Sequence, residues 1–303
     1  MAEFKNHVLS ILTRDEIALL SPLRPIELHA GDYLLHAGDR VEQVVFPESG
    51  VVSLITGIGG GSAIEIAMIG REGLLGSSVV AGNGGATTDL LVQVSGNAYT
   101  VPRSRFLHAV AQSSRLSRHM SLVDASLFAQ AQQSAACNAA HSAQARICRW
   151  LLELHDRSDT EVVPLTQSFL ARMVGVQRTT VTLVASKLQS AGIIRCRRGK
   201  VRVLDPAKLE KVACPCYARM RQTRQGLERS SESDKAFDGD VRRTVSAPLE
   251  SADVLPRHDF HRHVAEAETL ESASKHGGIA QREYSRVFEG RRRQPQVTPR
   301  DCQ

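Results

Sequence analysis

Residues 164–205 read PLTQSFLARMVGVQRTTVTLVASKLQSAGIIRCRRGKVRVLD, and the punctuation of this stretch decides the fold around it. Thr166 offers a hydroxyl to the first free amides of a short helix over about 167–173. Gly175 has the backbone freedom a tight turn needs, and a second helix is expected to start near Gln177 and stop at Gly192. In it Val181, Val184, Ala185 and Leu188 recur at helical spacing and form one apolar stripe. Thr179, Thr182, Leu183 and Ser186 fall on the opposite face, flanked by Arg178 and Lys187. A short, mostly hydroxyl-bearing face of that kind suits base edges and phosphates. Residues 193–196 and 200–203 then alternate around Arg197-Arg198-Gly199, the pattern of a β-hairpin with a basic tip. Helix, turn, helix, basic hairpin is a winged helix-turn-helix. It is expected to bind double-stranded DNA through Thr166, Gln177, Arg178, Thr179, Thr180, Thr182, Leu183, Ser186, Lys187, Arg197, Arg198 and Lys200.

The charge distribution supports this reading. The 303 residues carry a formal net charge of +6, but residues 164–226 alone hold 13 Lys and Arg against 2 Asp and Glu. The flanking segments 1–163 and 227–303 are net −4 and −1. A phosphate-binding surface concentrates cations in this way, whereas solvated surfaces disperse them. No segment has the roughly 18 uninterrupted apolar residues of a membrane span, and the N-terminus lacks the layout of a secretory signal. A cytoplasmic protein with no membrane partner is expected.

Upstream, residues 8–20 have the pattern of a short amphipathic helix ending at Ser21-Pro22. Short strands are expected at 25–29, 33–36, 43–46, 51–55, 64–69, 90–94 and 98–101, each bounded by turn residues, which implies an antiparallel roll or barrel. The glycines at 57–61 lack the Lys and the following helix of a phosphate-cradling loop and are expected at a hairpin tip. From Arg103 the periodicity changes: Leu116, Met120, Val123 and Leu127 step by 4, 3 and 4 along a helix of about 102–136. These four residues are the expected dimerisation seam, the alternative being a helix packed on its own β-roll. Another apolar-faced helix is expected over 146–154. After Gly226 the composition turns polar, and 227–303 is expected to be disordered.

The order β-roll, long helix, winged helix resembles the Crp/Fnr family of bacterial transcription regulators over about residues 8–226. The resemblance is strongest where Leu165, Thr166, Leu170, Ala171, Gly175, Val176, Arg178, Thr180 and Val181 fit the pattern L-T-x-x-x-L-A-x-x-x-G-V-x-R-x-T-V. It implies an α+β fold: an antiparallel, cyclic-nucleotide-binding-like β-roll over 8–101, a dimerisation helix over 102–136, and a winged helix-turn-helix over 137–226. It further implies a homodimer on a two-fold operator, contact with RNA polymerase, and a small-molecule effector. The family's best-known recognition helix has Glu and Arg where this chain has Thr179 and Leu183, so a different operator is expected. The cyclic nucleotide sites of the family use a Gly-Glu turn and an Arg on the phosphate. Here Gly73, Leu74, Leu75 and Gly76 occupy the turn, Thr87 and Thr88 the later region, and no Lys or Arg lies between Arg71 and Arg103. These six residues form an expected degenerate pocket that does not take cyclic AMP, with Glu72 and Asp89 expected to repel a phosphate. The iron–sulfur branch needs an N-terminal cysteine group, yet the first cysteine is Cys137.

Of the other groupings, Cys214-Pro215-Cys216 has no second Cys pair or nearby His at zinc-ligand spacing in the sequence, so a structural or incidental role is expected. Met120 and His119 are read as a core methionine and a surface histidine rather than haem ligands, and His258, His261 and His263 as an unstructured group. No cofactor, metal or catalytic constellation is read from the sequence, so no enzyme is expected. A ligand-binding module whose winged helix contacts proteins is the alternative function.

Overall fold

The computed structural model describes residues 4–59, 62–81 and 85–241. Two short helices, α1 (His7–Ser10) and α2 (Arg14–Leu20), open the chain. They replace the single helix expected over 8–20, because Thr13 starts a new capping box with Glu16: the Thr13 hydroxyl accepts from the Glu16 amide while the Glu16 carboxylate accepts from the Thr13 amide.

All seven expected strands form: β1 (Arg24–Leu28), β2 (Tyr33–Leu35), β3 (Gln43–Pro47), β4 (Val51–Gly59), β5 (Ser62–Ile69), β6 (Asp89–Val94) and β7 (Gly96–Pro102). They make two antiparallel sheets, ordered β1-β7-β3 and β2-β6-β4-β5. Val45 and Leu75 exchange backbone hydrogen bonds of 3.0 and 2.8 Å, fixing the loop after β5 against β3. Inward-facing Leu28, Val44, Phe46, Val52, Leu74, Val92 and Val101 fill the roll.

The helix expected over 102–136 is two helices, α3 (Arg103–Gln112) and α4 (Ser114–Ala140). Ser113 breaks them, and its side chain caps α4 by accepting from the Leu116 amide. Leu116, Met120 and Val123 are buried in the chain's own β-roll core, with Leu127 packed at its edge. That corrects the expected seam. A stripe of period 3.5 does not say which of two apolar neighbours will cover it, and burying each such side chain contributes about 1.5–3 kcal/mol to this protomer's own fold. His119, read as a surface residue, is buried too. The exposed face of α4 instead carries Ser121, Ala125, Phe128, Gln132, Ala135 and Ala139, again in steps of 4 and 3, with Phe128 65% exposed.

After a two-residue break at His141 and Ser142, α5 (Ala143–Arg157) leads into β8 (Val162–Pro164), α6 (Gln167–Val174), α7 (Arg178–Ser190), β9 (Ile194–Arg197), β10 (Lys200–Val203) and α8 (Pro206–Val212). The last helix, α9 (Cys216–Val241), overrides the boundary expected at Gly226: it runs fifteen residues further, and Leu227 is buried against the rest of the chain. The remainder of the expected tail, 242–303, lies outside the described residues, as do His258, His261 and His263. Among the described residues no helix is long and apolar enough to cross a membrane.

The β-roll and the winged helix share one apolar cluster, in which Val51, Ile55, Met68, Leu91 and Val94 meet Trp150, Leu151 and Leu154 of α5. Two buried carboxylates bind this seam. Glu72 accepts from the Arg157 side chain at 2.6 Å, both groups nearly inaccessible. Burial alone would raise the Glu72 pKa, but the Arg157 guanidinium holds it below the usual value. Glu65 accepts from the Trp150 indole N–H at 2.7 Å and from the Ser53 hydroxyl at 2.6 Å. Desolvation dominates there and pushes its pKa from 4.5 up to about 8, Ser53, Trp150 and Arg149 acting in the opposite direction and Glu153 adding to the rise.

A carboxyl whose pKa rises on folding holds its proton more tightly in the folded chain. Its contribution is therefore whole below about 4.5 and is lost as pH climbs toward about 8. Between those values Glu65 contributes a loss of up to about 1.4 kcal/mol per pH unit. Glu65→Gln keeps an acceptor for Trp150 and removes the titration, so urea unfolding of the variant should depend less on pH than the parent across this window. Parallel pH profiles would mean that Glu65 is neutral in both states or charged in both.

Candidate nucleic-acid interface and sensor pocket

Each device of the reading head read from the sequence is in place. The Thr166 hydroxyl accepts from the Phe169 amide at 3.1 Å and caps α6. Gly175 follows α6 with φ 67°, a left-handed conformation that costs a Cβ-bearing residue about 1–2 kcal/mol. Val181, Val184, Ala185 and Leu188 of α7 are buried against α5 and α6. Arg178, Thr179, Thr182, Leu183, Ser186 and Lys187 are exposed together on the other side, Leu183 by 58%, with Thr180 half-buried at their edge and exposed Gln177 at the position just before the helix. The Thr182 hydroxyl lies 2.7 Å from the Gln167 side chain and so ties the two helices together at this face.

The wing is a two-residue hairpin in which Arg198 and Gly199 both have positive φ, 47° and 73°, the geometry of a type I′ turn. Arg197, Arg198 and Lys200 are exposed around it. The sequence reading did not include β8, which completes a β8-β10-β9 sheet, nor the 2.7 Å bond from the Leu165 amide to the Gly199 carbonyl that pins the wing tip beside Thr166. The second link joins residues 34 apart, so local periodicity carries no trace of it.

A second feature is a cavity of about 570 Å³ between the β-roll and α4. Five of the six expected pocket residues line it: Leu74, Leu75, Gly76, Thr87 and Thr88. Gly73 does not. A Cβ there would lie 2.5 Å from Ile69 and 2.9 Å from Val123, so this glycine lets α4 approach the roll. Leu35, Leu54, Met120, Leu127 and Phe128 complete the largely apolar walls, so α4 forms one of them. Among the described lining residues there is no Lys, Arg or His; the one charged group is Asp124, which accepts from the Ser77 hydroxyl at 2.6 Å. Burial raises the Asp124 pKa. Arg71 is paired with Asp159 at 3.1 Å, away from the lining, and Arg103 is not part of it. Nor do Glu72 and Asp89 face the cavity as expected: Glu72 holds Arg157, and Asp89 accepts from the Ala37 amide.

A β-roll with an internal cavity joined by a long helix to a winged helix defines a sensor coupled to a DNA-reading head. Residues 25–113 match the cyclic nucleotide-binding domain family, and residues 145–212 match the Crp-like helix-turn-helix domain family. The chain belongs to the Crp/Fnr family of transcription regulators. Its fold is similar to that of FixK2 from Bradyrhizobium japonicum (TM-score 0.55, 15% identity), covering 63% of this chain and 98% of that one. A Crp/Fnr-family protein from Eubacterium rectale aligns with TM-score 0.55 and 17% identity over 68% of this chain and 96% of that one. The c-di-GMP-responsive global regulator CLP of Xanthomonas campestris gives 0.52 and 18%, over 63% and 99%. No curated protein sequence matches the chain.

Arg178 opens α7 and Lys187 lies two and a half turns further along, so they are expected to act differently on DNA. Lys187→Ala should weaken all duplexes alike and lower the salt slope by about one per subunit. Arg178→Ala should also relax preference at one base pair, by roughly 1–3 kcal/mol. Fluorescence anisotropy on specific and random duplexes over a salt series separates the two; equal losses on both duplexes for both variants would refute the assignment.

Proposed function

We propose that this protein is a homodimeric transcription regulator that reads a two-fold operator through α7 and the wing and is controlled by an uncharged, largely apolar ligand. The observation that carries the reading is the pairing of an exposed hydroxyl-rich face, flanked by Arg178 and Lys187, with a cavity walled by α4 that has no Lys, Arg or His among its described lining residues. It acts by binding and not by catalysis, in the cytoplasm, and RNA polymerase is its expected partner at promoters.

A cyclic phosphate entering the cavity loses water and needs a compensating cation or several aligned amides. The lining supplies Thr87, Thr88, Ser77 and Ser78, and an arginine–phosphate contact worth about 1.5–3 kcal/mol is absent from it. A neutral molecule that buries apolar surface against Leu35, Leu54 and Leu75 fits these walls. Calorimetry is expected to give no micromolar binding of cyclic AMP or cyclic GMP; such binding, coupled to tighter operator binding, would overturn the ligand class. Steep salt dependence on duplex DNA is expected, and its absence would favour a protein-contact role for the winged helix.

Pairing of two reading heads needs an interface between copies. The exposed 4–3 stripe of α4, from Ser121 through Ala125, Phe128, Gln132 and Ala135 to Ala139, supplies one without removing anything from the β-roll core. Phe128→Asp places like charges across that stripe and should give folded monomers with weak operator binding, whereas Val123→Glu should unfold the β-roll. Sedimentation with circular dichroism distinguishes these outcomes; an unchanged dimer in Phe128→Asp would move the interface elsewhere.

A further inference from the structure

Folding assembles a group that the linear spacing hides. Cys137 lies in the last turn of α4 and His141 follows one turn later as its C-cap, so the two share a face. Cys214 and Cys216 flank Pro215 between α8 and the start of α9, and the Cys214 amide bonds to the Ala145 carbonyl at 3.2 Å. The chain thereby brings together four donor atoms, three Sγ and one imidazole nitrogen, all within 4.8 Å of one another. Cys137 Sγ and Cys214 Sγ are 3.9 Å apart, and His141 Nε2 and Cys216 Sγ are 3.3 Å apart.

These distances discriminate among the chemistries open to such a group. A disulfide needs sulfurs about 2.05 Å apart, and among the described residues Cys137, Cys148, Cys214 and Cys216 are free thiols. A polynuclear iron–sulfur cluster distributes its thiolates over several irons and spreads them apart. A single tetrahedral ion with metal–sulfur bonds of about 2.3 Å and metal–nitrogen bonds of about 2.0–2.1 Å sets donor separations of about 3.5–3.8 Å. The observed separations bracket those values.

The surroundings also suit an anionic metal thiolate. Three thiolates and a neutral imidazole around a dication leave one net negative charge. Arg146 and Arg149 of α5 interact electrostatically with Cys137 and Cys214. Both arginines have a buried Nε donor with no acceptor among the described residues. The Gln133 amide donates to Cys137 Sγ at 3.4 Å, an outer-shell bond of the kind that orients a ligand. Cys137 and Cys214 are buried while His141 and Cys216 are half-buried, so the group is closed on one side and reachable from solvent on the other.

We propose that Cys137, His141, Cys214 and Cys216 form a Cys3His site for one tetrahedral, thiophilic divalent cation of the zinc type. The ion enters as the ligating thiols release their protons to solvent, and no electron is transferred. Its position gives it a structural task. His141 occupies the two-residue break between α4 and α5, so the bound ion fastens the end of the sensor's helix to α9 and to the first helix of the reading head.

The test uses the full reduced chain and cobalt(II) as the probe. One equivalent per chain should produce the visible bands of tetrahedral cobalt and a near-ultraviolet thiolate charge-transfer band, and zinc should bleach both. Cys137→Ser and Cys214→Ser should lose the band and weaken binding by more than the roughly 10–100-fold that an outer-shell change costs. His141→Cys should retain one equivalent and intensify the charge transfer, a gain that a merely structural residue would not give. Cys196→Ser on the wing, and alanine at His258, His261 and His263, should leave the spectrum unchanged. Far-ultraviolet circular dichroism of each variant separates loss of ligand from loss of fold. A reduced parent chain without stoichiometric cobalt binding, a charge-transfer band that survives Cys214→Ser in a folded chain, or a Cys137–Cys214 disulfide in place of metal uptake would each overturn the proposal.

Discussion

The contact on which the architecture depends is the insertion of Trp150 against the β4–β6 sheet, with its indole N–H satisfied by the buried Glu65. A tryptophan buries a large apolar surface but brings a donor that must find a partner in a dry environment. Glu65 supplies the acceptor, and Ser53 and Gln93 extend the polar chain into the roll. Four residues of sequence separation would make this a local bond; here it spans 85, so the sensor and the reading head have a common core rather than a linker between them. The Glu72–Arg157 pair makes a second polar link at the C-terminal end of α5. Breaking such a pair by removing one member leaves an uncompensated buried charge, which typically costs 3–5 kcal/mol.

This construction gives α4 three roles at once. Its inner face closes the β-roll through Leu116, Met120 and Val123; its flank, with Asp124 and Leu127, walls the cavity; its outer face carries the exposed 4–3 stripe, whose Phe128 borders the cavity mouth. A ligand in the cavity therefore touches a helix whose far end contributes Cys137 and His141 to the junction with α5. A ligand shifts a conformational equilibrium only by its differential affinity for the two states. On α4 such a difference can arise at Met120, Asp124, Leu127, Phe128 and Ala131, which line the cavity.

Much of the cavity lining lies within the residues that match the cyclic nucleotide-binding domain family. That lining takes in the turn after β5, the start of the short 3₁₀ helix (Ser77–Ala81), and Thr87 and Thr88 ahead of β6. The cation that would neutralise a phosphate is missing from the described lining, and the one charged group is an acid whose pKa is raised by burial.

By itself the sequence determined most of what rests on local periodicity and turn chemistry, although the caps at Thr13 and Ser113, equally local, divide two helices that periodicity runs together. What it determined includes the seven strands, the helix-turn-helix with its Thr166 cap and Gly175 turn, the basic hairpin, and the exposed face of α7. Cap, turn and stripe residues act within one or two turns of backbone, so their meaning is written where they stand. Tertiary structure alone decided which apolar stripe of α4 faces the roll and which stays open, because two stripes of the same period compete and only the neighbouring sheet selects between them. It also decided that Glu72 and Asp89 turn away from the cavity, that α9 continues beyond Gly226, and that His119 is buried. The four-ligand group belongs with these. Cys137 and His141 stand four apart at the end of α4 and Cys214 and Cys216 two apart at the start of α9, each pair unremarkable alone, and the two pairs lie 73 positions apart. Only the folding of α9 back along α4 makes them neighbours, since a metal site needs proximity in space and a sequence records only order along the chain.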